Sequence, residues 1–180
     1  KFQVGSIIKP LIYSIILKEG DLDKDVSTAP ITLKIKSGEW TPRDAVEQNV
    51  NTVKVREALQ KSLNIPLVRL ANDYGLEPLE EKLAIYLPEM KKPLSEFPAQ
   101  LLGAVELSPF QLIRLYRLFF SDLCSSSSAK KELFEILSRP EKTTTSKRVG
   151  LLKGSSFFGK TPPEIYSYQS ILILTLQPLG

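Results

Sequence analysis

The first residues of the chain carry a pattern that predicts an apolar helix. It begins at a glycine–serine step and runs from Ser6 to Leu17. Pro10 falls in or just past its first turn, where a missing N–H does least harm. Gly20 and the acidic residues that follow end the pattern. We therefore expect Ser6 to lie at the N-terminal end of a helix.

The next segment predicts a half-exposed strand. The apolar residues Ile31, Leu33 and Ile35 alternate with polar ones. This alternation is typical of a strand with one buried face. A turn at Ser37-Gly38 follows and leads into Trp40–Asp44, for which we expect an ordered loop.

Helical patterns dominate the remainder. They predict helices at Val53–Leu63, from Pro66 to Tyr74 with Gly75 as the stop, and at Leu79–Tyr86. Many helices with few strands predict an α/β or α+β fold.

The clearest helix start is the segment Ser108-Pro109-Phe110-Gln111. The serine can cap, the proline suits the first helical position, and the glutamine three residues after the serine completes a capping box.

The length and composition fit one globular domain. The chain has 180 residues, of which 42% are hydrophobic and 24% are charged, enough for one sizeable core. It begins at Lys1 without a methionine, it shows no charged-then-apolar leader, and no apolar run reaches the ~18 residues that a membrane span needs. We expect the chain to be an excerpt of a longer protein.

The residue types that are missing restrict the possible chemistry. The absence of histidine excludes Ser-His-Asp and Cys-His catalysis and most zinc sites. Cys124 is the only cysteine, which excludes an internal disulfide and a thiol-rich metal site. A nucleophile in this chain must use another base, and lysine is the obvious candidate.

The net charge of +4 is concentrated between Arg139 and Lys160. No aromatic residues alternate with these basic side chains in a recognisable pattern. We therefore predict a solvated face and no nucleic-acid partner.

The motif Ser6-Ile7-Ile8-Lys9 offers a serine and a base. Positions i and i+3 lie on one helix face, so the hydroxyl and the amine can share a pocket. The helix N-terminus also stabilises a developing oxyanion. If burial or a neighbouring cation lowers the pKa of Lys9, its neutral amine can deprotonate Ser6. Alone, S-x-x-K is common, and an ordinary helix start with a solvated lysine explains most occurrences.

Two further motifs follow in a meaningful order. Ser62-Leu63-Asn64 precedes Pro66 in a short turn, and Gly159-Lys160-Thr161 lies downstream. Each is common by itself. Together with the first motif they form the ordered trio of the penicillin-binding and serine β-lactamase group.

With this trio, the chain resembles the transpeptidase half of class A, bifunctional penicillin-binding proteins. Four segments carry the resemblance. Residues 4–10 are similar to the family's nucleophile box, and residues 29–31 and 40–44 are similar to its connecting strand and loop. Residues 102–109 are similar to its glycine-x-x-glutamate-x-serine-proline stretch. The resemblance covers about residues 1–120 well and 130–161 loosely. It implies a β-lactamase/transpeptidase-like α/β (α+β) fold, with a helical subdomain and part of an antiparallel sheet. We expect a partial transpeptidase domain at 1–161 and a divergent or frameshifted tail at 162–180.

The resemblance implies catalytic roles for three residues. Ser6 attacks the penultimate D-alanine carbonyl of a stem peptide, and Lys9 accepts its proton. Ser62 relays a proton to the leaving group.

It implies substrate-binding roles for three others. Asn64 binds the substrate amide, and Lys160 and Thr161 meet the carboxylate end. Neither a cofactor nor a metal is expected. The implied partners are peptidoglycan stem peptides and β-lactam antibiotics. The implied parent protein is membrane-anchored, linked to a glycosyltransferase domain, and located on the outer face of the bacterial cytoplasmic membrane.

A rival motif overlaps the third element. Gly154–Thr161 matches G-x-x-x-x-G-K-[ST], the phosphate-binding loop. That loop needs further βα units with a Mg²⁺-binding aspartate, but only 19 residues follow Thr161, and the first two are prolines. We favour the transpeptidase motif.

The sequence departs from the family after Thr161. Pro162-Pro163 replace a glycine and a small residue, and in the family the backbone N–H of the second completes the oxyanion hole. Proline has no N–H, and loss of one such donor costs ~2.7–4 kcal/mol.

Two explanations of this tail stay open. Codons for Pro-Pro-Glu-Ile, read one nucleotide earlier, can encode Thr-Thr-Arg-Asn, which is consistent with a frameshift. Alternatively, Ser170–Leu176 is a strand of a divergent domain. Two functions follow as hypotheses: an active D,D-transpeptidase, or an inactive transpeptidase-like scaffold or pseudogene product.

Overall fold

Six α-helices and eight short strands make up the part of the chain that the computed structural model describes, namely residues 1–124, 128–138, 157–158 and 174–175. The helices are α1 (Lys9–Ile16), α2 (Val55–Gln60), α3 (Ile65–Tyr74), α4 (Leu76–Tyr86), α5 (Pro109–Cys124) and α6 (Ser128–Ser138). The strands are β1 (Phe2–Gln3), β2 (Asp25–Ser27), β3 (Leu33–Ile35), β4 (Gly38–Trp40), β5 (Thr52–Lys54), β6 (Glu106–Leu107), β7 (Phe157–Phe158) and β8 (Leu174–Thr175). No helix of the described residues is long and apolar enough to cross a membrane.

The strands pair in four antiparallel two-stranded sheets. These are β1 with β6, β2 with β5, β3 with β4, and β7 with β8. In the first sheet, Phe2 lies opposite Leu107 and Gln3 opposite Glu106. This sheet therefore joins the start of the chain to the segment that leads into α5.

Helix α1 lies at the centre of the core. It packs against α2, α3, α4 and α6. Seven of its eight residues are buried, including Lys9. The surrounding side chains are apolar and at most 1% exposed: Leu59, Leu67, Val68, Leu79 and Leu83. A polar group on this helix is therefore removed from water.

The predicted first helix is present, and its first turn is a 3-10 helix. A 3-10 helix at Gly5–Ile8 leads directly into α1. Gly5 has φ 59°, a left-handed conformation that glycine adopts with little strain. The predicted strand is present but shorter: it spans Leu33–Ile35 and leaves out Ile31, with Leu33 buried and Lys34 exposed.

The prediction of a helix at Val53–Leu63 is wrong at its start. Val53 belongs to β5 and lies opposite Val26, and the helix spans Val55–Gln60. The β-branched Val53 is buried on one face of a strand whose neighbours are exposed, and this tertiary contact overrides the helical composition. The helix predicted at Leu79–Tyr86 begins earlier, at Leu76, directly after Gly75.

The predicted capping box at the start of α5 is confirmed. The Ser108 backbone N–H donates to Gln111 Oε1 at 2.8 Å, and the Gln111 N–H donates to Ser108 Oγ at 3.3 Å. Helix α6 was not predicted from the sequence, where the serine-rich stretch at 125–128 indicated only a break.

Several sequence predictions concern the last part of the chain. Lys160, Thr161 and Pro162-Pro163 lie outside the described residues. Of the segment Gly154–Thr161, β7 is described, and it pairs with β8 inside the predicted strand Ser170–Leu176.

Two glycines bring the backbone before Ser6 against a distant segment. The Gly5 N–H donates to the Gly103 carbonyl at 3.0 Å, and the Val4 N–H donates to the Val105 carbonyl at the same distance. Gly103 has φ 90°, and a Cβ there would lie 2.0 Å from the Gly5 oxygen. Only glycine fits at position 103, and this contact fixes the chain one residue before Ser6.

We predict that Gly103→Ala strongly destabilises the fold. The left-handed φ costs about 1–2 kcal/mol and the clash adds about 1–3 kcal/mol. The measurement is the free energy of unfolding in urea. Gly20→Ala is the matched control, since Gly20 has φ 79° but nothing within 4 Å of the added Cβ. Equal losses in the two variants would contradict the proposed close approach.

Candidate active site

Ser6 and Lys9 lie at the start of the central helix. Ser6 is in the 3-10 helix and is 6% exposed, and Lys9 is the first residue of α1 and is fully buried. The buried O–H of Tyr116 donates to the Ile7 carbonyl at 2.6 Å. Helix α5 thereby fixes the turn that carries Ser6. The sequence analysis missed this role of Tyr116, because nothing local marks a hydrogen bond between residues 109 positions apart.

Ser62 lies in a strained turn that ends α2. Its φ is 60°, and it is the only non-glycine residue with a positive φ among those described. The Leu63 N–H donates to the Ala58 carbonyl at 2.9 Å, and the Ser62 N–H donates to the Leu59 carbonyl at 3.1 Å. These bonds form a Schellman motif, in which glycine is usual at the position of Ser62. Keeping a serine there costs stability, and strain of this kind clusters at functional sites.

The Lys9 amine joins the two motifs. It donates to the Ser62 carbonyl at 2.6 Å, to Asn64 Oδ1 at 2.5 Å, and to Ser62 Oγ at 3.3 Å. Lys9 is therefore not a solvated lysine on an ordinary helix. The structure brings together Lys9, Ser62 and Asn64 at one point, with Ser6 three residues before the amine.

Burial sets the protonation of this amine. Desolvation lowers the pKa of Lys9 from 10.5 to about 7, and the negative charge of Asp44 opposes the shift. A neutral amine has two N–H groups, which the two short bonds to Ser62 and Asn64 can use. The lone pair then remains for a proton, and a pKa near the working pH suits a general base.

Asp44 and Arg43 hold the asparagine in place. Asp44 Oδ1 accepts the N–H of Asn64 and, at 3.2 Å, that of Ile65. The Arg43 carbonyl accepts from Asn64 Nδ2 at 2.6 Å. Asn64 and Ile65 begin α3, where free N–H groups and the helix dipole favour a carboxylate. The sequence analysis expected an ordered loop at Trp40–Asp44 and was wrong for Trp40, which pairs with Leu33 in β4. It gave Asp44 no role, although an acidic side chain ending that segment was a usable signal.

A cleft of about 580 Å³ borders Ser62. The loop 45–50 lines one side, and Glu57 of α2 and Lys61, which follows this helix, line another. These two side chains form an ion pair at 2.6 Å. Ser62 lines this cleft, whereas Ser6, Lys9 and Asn64 do not. The remaining predicted residues, Lys160 and Thr161, lie outside the described part of the chain.

Comparison with known proteins identifies the family. The family model described as penicillin binding protein transpeptidase domain matches residues 1–126. The chain belongs to this transpeptidase family. The resemblance to penicillin-binding transpeptidases is therefore confirmed.

Individual relatives agree. Penicillin-binding protein 1B of Haemophilus influenzae is 33% identical over 122 residues, which are 65% of this chain and 15% of that protein. The chain thus spans only a small part of this curated relative. The crystal structure of penicillin-binding protein 1A from Haemophilus influenzae superposes with a TM-score of 0.56 at 27% identity, over 66% of this chain and 18% of that one. These 1B and 1A relatives support the predicted resemblance to class A penicillin-binding proteins.

The fold extends to a more distant transpeptidase-family structure. Penicillin-binding protein A from M. tuberculosis, solved as an imipenem acyl-enzyme complex, has a TM-score of 0.65 at 18% identity, over 89% of this chain and 48% of that one. At this identity the likeness concerns the fold. The predicted β-lactamase/transpeptidase-like α/β class is confirmed.

We predict that Lys9 makes the stability of the penicillin-binding domain depend on pH. Between about pH 7 and its unfolded pKa of 10.5, the unfolded state binds the proton that folded Lys9 has lost, so stability rises with pH. The free energy of unfolding should increase by about 2 kcal/mol from pH 7 to pH 9. In Lys9→Met this increase should disappear. Parallel curves for the two proteins would show that Lys9 keeps an ordinary pKa.

We also predict that Ser62→Gly is more stable than Ser62→Ala. Both variants lose the hydroxyl, but only glycine relieves the left-handed strain, by about 1 kcal/mol. Urea unfolding of the pair measures the difference. Equal stabilities would mean that the turn at Ser62 carries no strain.

Proposed function

We propose that this domain is an acyl-serine D,D-transpeptidase that cross-links peptidoglycan stem peptides. The observation that carries the proposal is the buried Lys9 amine, held between Ser62 and Asn64 three residues after Ser6. A buried lysine with a pKa near 7 can take a proton from serine, which its solvated form cannot do at neutral pH.

Acylation begins at Ser6. Its Oγ forms a bond to the penultimate D-alanine carbonyl carbon, while its proton passes to the Lys9 lone pair. The tetrahedral oxyanion then collapses and the C–N bond breaks. The terminal D-alanine leaves as an amine, with the proton that Lys9 delivers through the Ser62 hydroxyl, 3.3 Å away.

Transfer reverses these steps with a different amine. The amino group of a second stem peptide attacks the ester, and its proton passes through Ser62 to Lys9. The C–O bond breaks and Ser6 Oγ recovers the proton. The products are a new peptide bond and free enzyme.

Substrate orientation falls to Asn64. Its Nδ2 has two N–H groups, and the Arg43 carbonyl takes one of them. The second can donate to the substrate amide. By the family analogy, Lys160 and Thr161 bind the carboxylate end, so the working domain is 1–161 and 162–180 is a divergent or frameshifted tail.

The wider context is part of the same proposal. β-Lactams acylate Ser6, as imipenem has acylated the related protein from M. tuberculosis. The parent protein is anchored in the cytoplasmic membrane, is linked to a glycosyltransferase domain, and works on the outer face.

A fluorescent penicillin tests the proposal. We expect one covalent label per chain, detected by gel fluorescence and intact mass, and no label on Ser6→Ala. Because Pro163 cannot supply an oxyanion-hole N–H, labelling should be about 10²–10³ slower than with a complete hole and should be followed over hours.

Ser14→Ala is the matched control. Ser14 is a buried serine on α1, and its Oγ donates to the Leu11 carbonyl at 2.7 Å. It should label like the unchanged chain. If the folded, unchanged chain takes no label, the transpeptidase proposal fails and the inactive scaffold hypothesis replaces it.

A further inference from the structure

Asp44 occupies a position that the catalytic motifs do not include. It ends the segment Trp40–Asp44, 35 residues from Lys9 and 20 from Asn64 along the chain. Its half-buried carboxylate nevertheless reaches the turn that carries Asn64, and Asn64 in turn accepts a hydrogen bond from the Lys9 amine.

We propose that Asp44 is the positioning residue of this site: it clamps the turn that carries Asn64 and, among the described residues, supplies the negative charge that acts on Lys9. The charge role rests on the proposed function of Lys9 as the base. The clamping role rests on geometry alone.

The clamp consists of two backbone hydrogen bonds to one oxygen. Asp44 Oδ1 accepts the N–H of Asn64 and of Ile65, and Asn64 Oδ1 accepts from Lys9. Asn64 is thus bonded on one side to the carboxylate and on the other to the amine. Without the clamp, Asn64 would keep its side-chain bonds to Lys9 and Arg43, while the first N–H groups of α3 would lose their acceptor.

The side chains that accept from the Lys9 amine, Ser62 and Asn64, are uncharged. On α1 itself, the hydroxyl of Tyr13 is fully buried and has no hydrogen-bond partner among the described residues. Glu57 of α2 and Lys61, the residue that follows this helix, form an ion pair with each other at the surface.

Asn64 links Asp44 to the Lys9 amine: its backbone N–H donates to Asp44 Oδ1, and its own Oδ1 accepts from Lys9 at 2.5 Å. Consistent with this proximity, the Asp44 charge raises the pKa of Lys9 against the larger effect of burial, and it adds to the effect of burial in raising the pKa of Tyr13. Removing the charge while keeping an acceptor therefore favours the neutral amine. The Lys9 midpoint should fall below about 7.

Two substitutions separate the roles. Asp44→Asn keeps a side-chain oxygen for the two N–H groups but removes the charge. Asp44→Ala removes both. Asp73→Asn is the control for net charge, because Asp73 is an exposed aspartate on α3.

The first measurement does not depend on acylation. In full-length chain labelled with ¹³Cε-lysine, the Lys9 resonance is assigned by its absence in Lys9→Met and titrated. We expect Asp44→Asn to lower the midpoint by about one pH unit, as is usual for loss of a neighbouring opposite charge. A midpoint equal to that of Asp73→Asn would overturn the charge role.

Hydrogen exchange of the Asn64 and Ile65 amides tests the clamp. We expect exchange to be at least about tenfold faster in Asp44→Ala and nearly unchanged in Asp44→Asn. Unchanged exchange in Asp44→Ala would overturn the clamping role.

Acylation by fluorescent penicillin connects both roles to the reaction. With a midpoint moved from about 7 to about 6, the neutral fraction of Lys9 at pH 6 rises about fivefold, so the acid limb of the Asp44→Asn rate profile should move to lower pH. Asp44→Ala should acylate at least about tenfold more slowly at every pH. If no variant acylates but the Lys9 midpoint falls in Asp44→Asn, the proposed function fails while the electrostatic role of Asp44 stands.

Discussion

The buried Lys9 amine is the feature on which the site depends. A lysine at 0% exposure in an apolar core is costly unless its N–H groups are satisfied and its charge can be given up. Both conditions are met by the same neighbours. Ser62 and Asn64 accept its hydrogen bonds, and burial lowers its pKa to about 7. The groups that satisfy Lys9 in the core are the same ones to which the proposed reaction gives the proton relay and the substrate-binding amide.

Much of the surrounding structure keeps these groups in register. Gly103 lets the backbone before Ser6 come close to a second segment, and Tyr116 holds the Ile7 carbonyl from the other side. Ser62 occupies a left-handed position where glycine would be more stable. The backbone at Ser62 is therefore strained, and the serine there provides a hydroxyl group. Natural proteins tolerate strain of this kind at sites that act on ligands. Ser62 and Asn64 can accept from the Lys9 amine because these contacts fix the backbone of the Ser6–Lys9 segment and that of the Ser62 turn.

Membership of the penicillin-binding transpeptidase family explains why the site is built inside a helical core, and it also frames the anomaly at Pro162-Pro163. Every residue argued to hold or move a proton lies within residues 1–126, the part that the family model matches. The expected oxyanion donor does not. In the proposed mechanism, Lys9 and Ser62 carry the proton transfer, while the electrostatic stabilisation of the oxyanion lacks its expected donor.

The sequence by itself determined the local features of this protein. The S-x-x-K and S-x-N motifs, the capping box at Ser108 and the alternation around Leu33 depend on neighbours within a few residues, so spacing and propensity sufficed to predict them. Tertiary structure decided the rest. Through tertiary contacts, Val53 pairs with Val26 in a strand, and the Asp44 carboxylate lies at the start of α3. Tertiary packing also buries Lys9 away from water. These outcomes depend on contacts between residues tens of positions apart, and the pKa of Lys9 follows from the burial that such contacts create, which no local pattern encodes.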